Sequence, residues 1–112
     1  MDNIRTEVAV IGSGPGGYVA AIRAGQLGKQ VVCIEKEAAG GVCLNIGCIP
    51  SKALISAAKQ YDKIRHAGEM GIIVGEPQLD VGKLLGWKAG IVNKLTSGVR
   101  QLIKGAGGQF IQ

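Results

Sequence analysis

The stretch "TEVAVIGSGPGGYVAAIRAGQLG", Thr6 to Gly28, decides the fold. Its first part, Thr6 to Gly12, is a short β-branched and apolar run, the pattern of a strand buried on both faces in a parallel sheet. From Tyr18 onward Ala, Val, Ile and Leu recur at helical spacing, and Gly28 fits the position just past a helix end. "KQVVCIEK", Lys29 to Lys36, repeats the strand pattern. Strand, helix and strand in so short a span make a βαβ unit. The fold class is therefore α/β, with a Rossmann-like dinucleotide-binding βαβ core.

Between the first strand and the helix runs Gly12-Ser13-Gly14-Pro15-Gly16-Gly17, a G-x-G-x-x-G loop. Alone the pattern is weak; after a strand and before a helix it has the context that gives it meaning. Gly12 permits the tight turn, Gly14 lets the backbone approach a pyrophosphate, and Gly17 lets the helix pack close to the strand. The helix then turns its free N–H groups and positive dipole end towards the anion. Glu35 ends the second strand near the ~20-residue offset of an acid that binds ribose hydroxyls. An acid there favours FAD or NAD over a dinucleotide with a 2′-phosphate. The loop does not choose between those two.

Composition narrows the class. At 112 residues the chain is long enough for one domain, and 46% hydrophobic against 19% charged residues reads as globular. The net charge of +5 comes from scattered lysines and arginines without a basic run or aromatic interleaving. That patterning speaks against nucleic acid and suits phosphate-bearing ligands. No apolar stretch approaches the ~18 residues of a membrane span, so no membrane is expected. The N-terminus lacks the basic and apolar regions of a signal peptide. A cytoplasmic location follows as an expectation, and there structural disulfides are uncommon.

Further along, Pro50 suits the first turn of a helix that runs to Gly68, with Ala53, Leu54, Ala57, Ala58, Tyr61 and Ile64 on its apolar face. "EMGIIVGEPQLD" reads as an extended piece and a turn. Val81 to Gly105 is a long amphipathic helix, and "GQFIQ" begins another strand. Two parallel strands cannot cover so many helices. Residues 1–112 are therefore expected to be the N-terminal part of a larger dinucleotide-binding domain.

Two of the three cysteines lie in "GGVCLNIGCIPSK", Gly40 to Lys52. Three readings compete. A metal needs about four ligands; Cys33 falls in a buried strand and His66, the only histidine, has no partner at ligand spacing. A structural disulfide would close a short loop, where the entropic gain is least. For a redox pair, Cys48 near the start of the Pro50 helix occupies a position that stabilises a thiolate. Five residues of regular helix rise about 7.5 Å, whereas a disulfide needs its Cα atoms within about 7 Å. The segment between Cys43 and Cys48 should therefore be irregular, and Asn45 and Gly47 would tolerate that. Lys52, a cation in the first helical turn, opposes the dipole. It is either a solvated lysine or one that faces an electron-rich ligand group.

"VAVIGSGPGGYVAAIRAGQLG", Glu35–Lys36 and "GGVCLNIGCIPSKALI" together resemble the pyridine nucleotide–disulfide oxidoreductases, from about Glu7 to Gly105. The form "CLNIGCIPSKAL" is closest to the branch that oxidises dihydrolipoamide; glutathione and mercuric reductases carry related loops. The resemblance implies non-covalent FAD, with Gly12, Gly14, Pro15 and Gly16 along its pyrophosphate and Glu35 on its adenosine ribose. Lys36, Gly41 and Val42 would border it. Cys48 would lie against the flavin as the charge-transfer thiolate, Cys43 would exchange with the lipoyl disulfide, and Lys52 would sit near flavin N5. It further implies NAD as acceptor, a homodimer, and as partner the lipoyl domain of 2-oxo-acid dehydrogenase or glycine cleavage complexes. The family's NAD-binding and dimer-interface domains are absent from this chain, and its His–Glu acid–base pair lies in the latter. His66 is not that histidine; it reads as a helix C-terminal or surface residue. The chain alone is expected to be inactive. A non-catalytic FAD-binding fragment is the reading from another class.

Overall fold

The computed structural model describes residues 2–112. Strand β1 (Val8–Ile11) leads through the glycine loop into helix α1 (Pro15–Gln26), and β2 (Val31–Ile34) returns beside β1. Helices α2 (Gly41–Asn45) and α3 (Cys48–Arg65) follow, with a 3₁₀ turn at Ala67–Met70. Then α4 (Val81–Gly105) runs back to β3 (Gln109–Ile111). The three strands are parallel in the order β1-β2-β3, with Val8 beside Val31 and Cys33 beside Phe110. The expected βαβ unit is present, and "GQFIQ" supplies the third strand.

The core sits where α1 and the end of α4 cover the sheet. Ala21, Val31, Cys33, Val99 and Ile103 are buried together, with Ala39 and Leu44 beside them. Gly25 brings α1 against α4, since a Cβ there would stand 2.6 Å from the Ala106 carbonyl oxygen. Beyond the sheet α3 and α4 form a long hairpin, which stretches the molecule to 64 Å. Much of that hairpin's apolar surface is open: Leu54, Leu85, Trp87, Leu95 and Leu102 are all exposed. The stripe read along Val81–Gly105 is thus buried mainly at its C-terminal end.

Four expectations are corrected. Helix α1 starts at Pro15 rather than near Tyr18, capped by the extended Gly14. Helix α3 starts at Cys48 with Pro50 in its first turn, as expected, but ends at Arg65 rather than Gly68, where His66 caps it and donates its Nδ1–H to the Asp62 carbonyl at 2.9 Å. The cysteine loop contains a helix, α2, that was not foreseen. Finally, Gly41–Arg65 is, by length and composition alone, apolar enough to cross a membrane. It is not one continuous helix, however. Ile46 and Gly47 leave helical geometry between α2 and α3, and a break of this kind exposes backbone groups that lipid could not satisfy.

Candidate functional site

The glycine loop is built by close contacts at one end and open space at the other. Gly12 takes φ +97° and its N–H donates to the Ile34 carbonyl at 2.7 Å, which ends β1 in a tight turn. A Cβ on Gly17 would lie 1.8 Å from the Gly12 carbonyl oxygen, so only glycine lets α1 start this close to β1. At Gly14 and Gly16 a Cβ would meet nothing within 4 Å. Their backbone faces open space at the N-terminus of a twelve-residue helix, the arrangement that receives a phosphate.

Glu35 is the acid beside this loop, buried at 7% exposure. One carboxylate oxygen accepts from the Ser13 N–H at 2.8 Å and the Ser13 hydroxyl at 2.7 Å; the other accepts from the Glu37 N–H at 3.1 Å. The Ser13 hydroxyl, then its N–H, then the Glu37 N–H hold the carboxyl below its usual range, against the opposing effect of burial. Glu35 is therefore ionised at neutral pH. Glu35, Lys36, Gly41 and Val42 line one cleft of about 340 Å³ with Asn45 and Ile46. Lys36 reaches only its neighbour Glu37, at 3.7 Å in solvent. Open backbone at Gly14 and Gly16, an ionised acid and this cleft together fit a dinucleotide with an unphosphorylated ribose.

The cysteines stand outside that cleft, at the corner of α2 and α3. The chain turns into α2 through Gly40 (φ +91°) and Gly41 (φ +64°). A Cβ on Gly41 would stand 2.8 Å from the Gly14 Cα, so the cysteine helix begins in contact with the glycine loop. Asn45 donates its side-chain amide to the Ala39 carbonyl at 2.9 Å and the Gly41 carbonyl at 2.8 Å, which pins this turn. That corrects its expected part: Asn45 is helical, and the irregular residues between the cysteines are Ile46 and Gly47. Gly47 is needed there, since a Cβ would come within 3.0 Å of the Val42 carbonyl oxygen and 3.2 Å of the Cys43 Cα.

Both cysteines are free thiols, Cys43 half-buried and Cys48 exposed as the first residue of α3. The Cys43 thiol is pushed up chiefly by its hydrogen bond with the Cys48 thiol, then by burial; the Cys48 N–H and the Lys52 charge act the other way. The pair and Lys52 are thus brought together. A raised thiol is mostly protonated at neutral pH and becomes nucleophilic only as pH rises. Alkylation of Cys43 in the reduced protein should therefore reach half its maximal rate above the ordinary thiol range. Cys48→Ala removes the largest cause and should bring that midpoint down; an unchanged pH profile by iodoacetamide labelling and peptide mass spectrometry would contradict the pairing. Cys33 lies apart, fully buried in β2. Among the described residues no three or more His, Cys, Asp and Glu side chains converge as a metal site.

Sequence reasoning missed Ser13 and the helical part of Asn45. Ser13 occupies an unspecified position of the glycine pattern, so nothing in the pattern could single it out. A cavity of about 530 Å³ between α3 and α4, beside Tyr61 and Trp87, contains none of the expected site residues.

Residues 6–110 match the family described as pyridine nucleotide-disulphide oxidoreductase. The chain is 58% identical over 102 residues to a dihydrolipoyl dehydrogenase of Geobacillus stearothermophilus, covering 91% of this chain and 22% of that protein. It is 54% identical over 107 residues to one of Halobacterium salinarum, covering 96% of this chain and 22% of that protein. The chain thus spans about 22% of the length of these curated relatives. Its fold is shared with LpdA of Mycobacterium tuberculosis, at a TM-score of 0.86 and 23% identity, over 96% of this chain and 23% of that one.

Proposed function

The chain belongs to the pyridine nucleotide-disulphide oxidoreductase family, and we propose that it forms the FAD-binding loop and redox-cysteine region of a dihydrolipoyl dehydrogenase. The observation that most favours this reading is the contact between Gly41, at the start of the cysteine helix, and the Gly14 backbone. It places the glycine loop beside the helix that carries Cys43. The names of the relatives favour the lipoamide substrate.

In this reading Gly12, Gly14, Pro15 and Gly16 carry the pyrophosphate, Glu35 accepts from the adenosine ribose, and Lys36, Gly41 and Val42 border the dinucleotide. The catalytic pair is Cys43 and Cys48. A thiolate of dihydrolipoamide attacks the Cys43 sulfur of the Cys43–Cys48 disulfide, and Cys48 leaves as a thiolate. The second substrate thiolate attacks the substrate sulfur of the mixed disulfide, which releases lipoamide and the Cys43 thiolate. The enzyme has gained the electron pair that the substrate has lost, and the two substrate protons are left on the thiols or in solvent. Lys52, close enough to act on Cys43, stabilises negative charge at this corner. FAD, held by Gly12, Gly14, Pro15, Gly16 and Glu35, would supply the remaining two-electron chemistry, linking reoxidation of the dithiol to reduction of NAD⁺.

NAD⁺ would bind to a part outside this chain. A homodimer, the lipoyl domain of a 2-oxo-acid dehydrogenase or glycine cleavage complex, and a cytoplasmic setting complete the proposal. The test is turnover by the natural full-length protein. Formation of NADH with dihydrolipoamide is expected, with no reduction of glutathione disulfide or mercuric ion by NADH or NADPH. Preference for either of those would overturn the lipoamide assignment.

A further inference from the structure

Ser13 is fully buried, and both its N–H and its hydroxyl are used. Its N–H and hydroxyl both donate to one oxygen of Glu35, at 2.8 and 2.7 Å. Its hydroxyl oxygen accepts from the Gly40 N–H at 3.2 Å. A hydroxyl has one proton and two lone pairs, so it can do both at once. Gly40, also buried and at φ +91°, caps the start of α2, three residues before Cys43. No other side chain in the described residues joins the acid after β2 to the backbone that opens the cysteine helix.

We propose that Ser13 is a positioning residue that ties the dinucleotide's acidic anchor to the redox helix: through Glu35 it orients ribose recognition, and through Gly40 it sets the entry of α2 and hence the seat of Cys43. The inference rests on the FAD reading for the first of these effects and on this chain alone for the second. A buried hydrogen bond to a carboxylate is worth more than a neutral one, and removal of its donor leaves the Gly40 N–H unpaired as well. Both ends of the link should therefore respond to one substitution.

The test uses Ser13→Ala in the full-length protein freed of dinucleotide. FAD affinity, read by fluorescence titration, should weaken by about tenfold or more, and alkylation of Cys43, read by peptide mass spectrometry, should become severalfold faster. In a Glu35→Ala background the Ser13 change should no longer alter FAD affinity, as expected when one residue acts through the other. An unchanged Cys43 rate, or a Ser13 effect on FAD that persists without Glu35, would overturn the link. Should the variant fail to fold, hydrogen exchange in the unaltered protein decides: the Gly40 amide should exchange on the order of a hundredfold more slowly than an open peptide, and exchange at the open rate would overturn the inference. If the unaltered protein takes up no FAD, the functional reading fails, while Cys43 alkylation and Gly40 exchange still test the tie between Ser13 and the helix.

Discussion

Cys48→Ser in the full-length protein should abolish dihydrolipoamide-dependent NADH formation, and Cys43→Ser should do the same for a different reason. Serine cannot form or exchange a disulfide, so either change stops the relay of electrons. The two variants part in what they leave behind. With Cys48 removed, Cys43 lacks the thiol that raises it and should alkylate at lower pH. With Cys43 removed, Cys48 remains exposed at the start of α3 and should still offer a thiolate to bound flavin. Turnover assays that showed more than trace activity in either variant would remove the pair from the reaction. The expected loss is at least on the order of a thousandfold, as for other residues that carry a covalent step.

The second large effect is at Gly17. Gly17→Ala sets a methyl group 1.8 Å from the Gly12 carbonyl oxygen and 2.8 Å from its carbon. Both are backbone atoms, so no side chain can swing aside. Either α1 moves off β1 or the Gly12 turn opens, and both change the loop that the phosphate would meet. Overpacking of this sort costs about 1–3 kcal/mol, and a shift of the loop by ~1 Å weakens function on the order of a hundredfold. Gly16→Ala is the contrasting case. Its methyl group enters open space, so thermal stability should hold while FAD affinity falls. Equal stability losses in the two variants would contradict the division of the loop into a packed end and an open end.

The difference between those two glycines was legible in part. Strand, loop and helix followed from β-branched runs, glycine spacing and helical recurrence, and each signal reports a backbone requirement that one residue type meets best. Glu35 was legible because an acid at the end of a second strand has a fixed offset from the loop. The closeness of Cys43 and Cys48 was legible, through the start of α3 and the irregular step at Gly47. Helix α2 was not: it has five residues, too few for a 3.6-residue period to show, and it opens on two glycines with positive φ. Ser13 escaped because its hydrogen bonds join positions 22 and 27 residues away, and no local pattern encodes such a pairing. The open face of α3 and α4 has a similar cause. Periodicity tells which side of a helix is apolar, and says nothing about what covers it. The membrane-length run Gly41–Arg65 escaped because single charged or polar residues such as Lys52 and Asn45 interrupt it to the eye, though its average remains apolar.

The resemblance to known oxidoreductases and the geometry meet at Cys48. It is the first residue of α3, next to Cys43 and one helical turn from Lys52, and the proposed reaction assigns it the flavin side. Reductive titration of the full-length, flavin-loaded protein with dihydrolipoamide, followed by visible absorption, tests this most directly. Uptake of one electron pair by the unaltered protein should produce a long-wavelength thiolate-to-flavin band; Cys43→Ser, whose remaining Cys48 thiol needs no reduction, should display it before any reductant is added, and Cys48→Ser should not display it at all. A flavin that bleaches without such a band, or a band that survives in Cys48→Ser, would contradict the assignment of Cys48 to the flavin side of the pair.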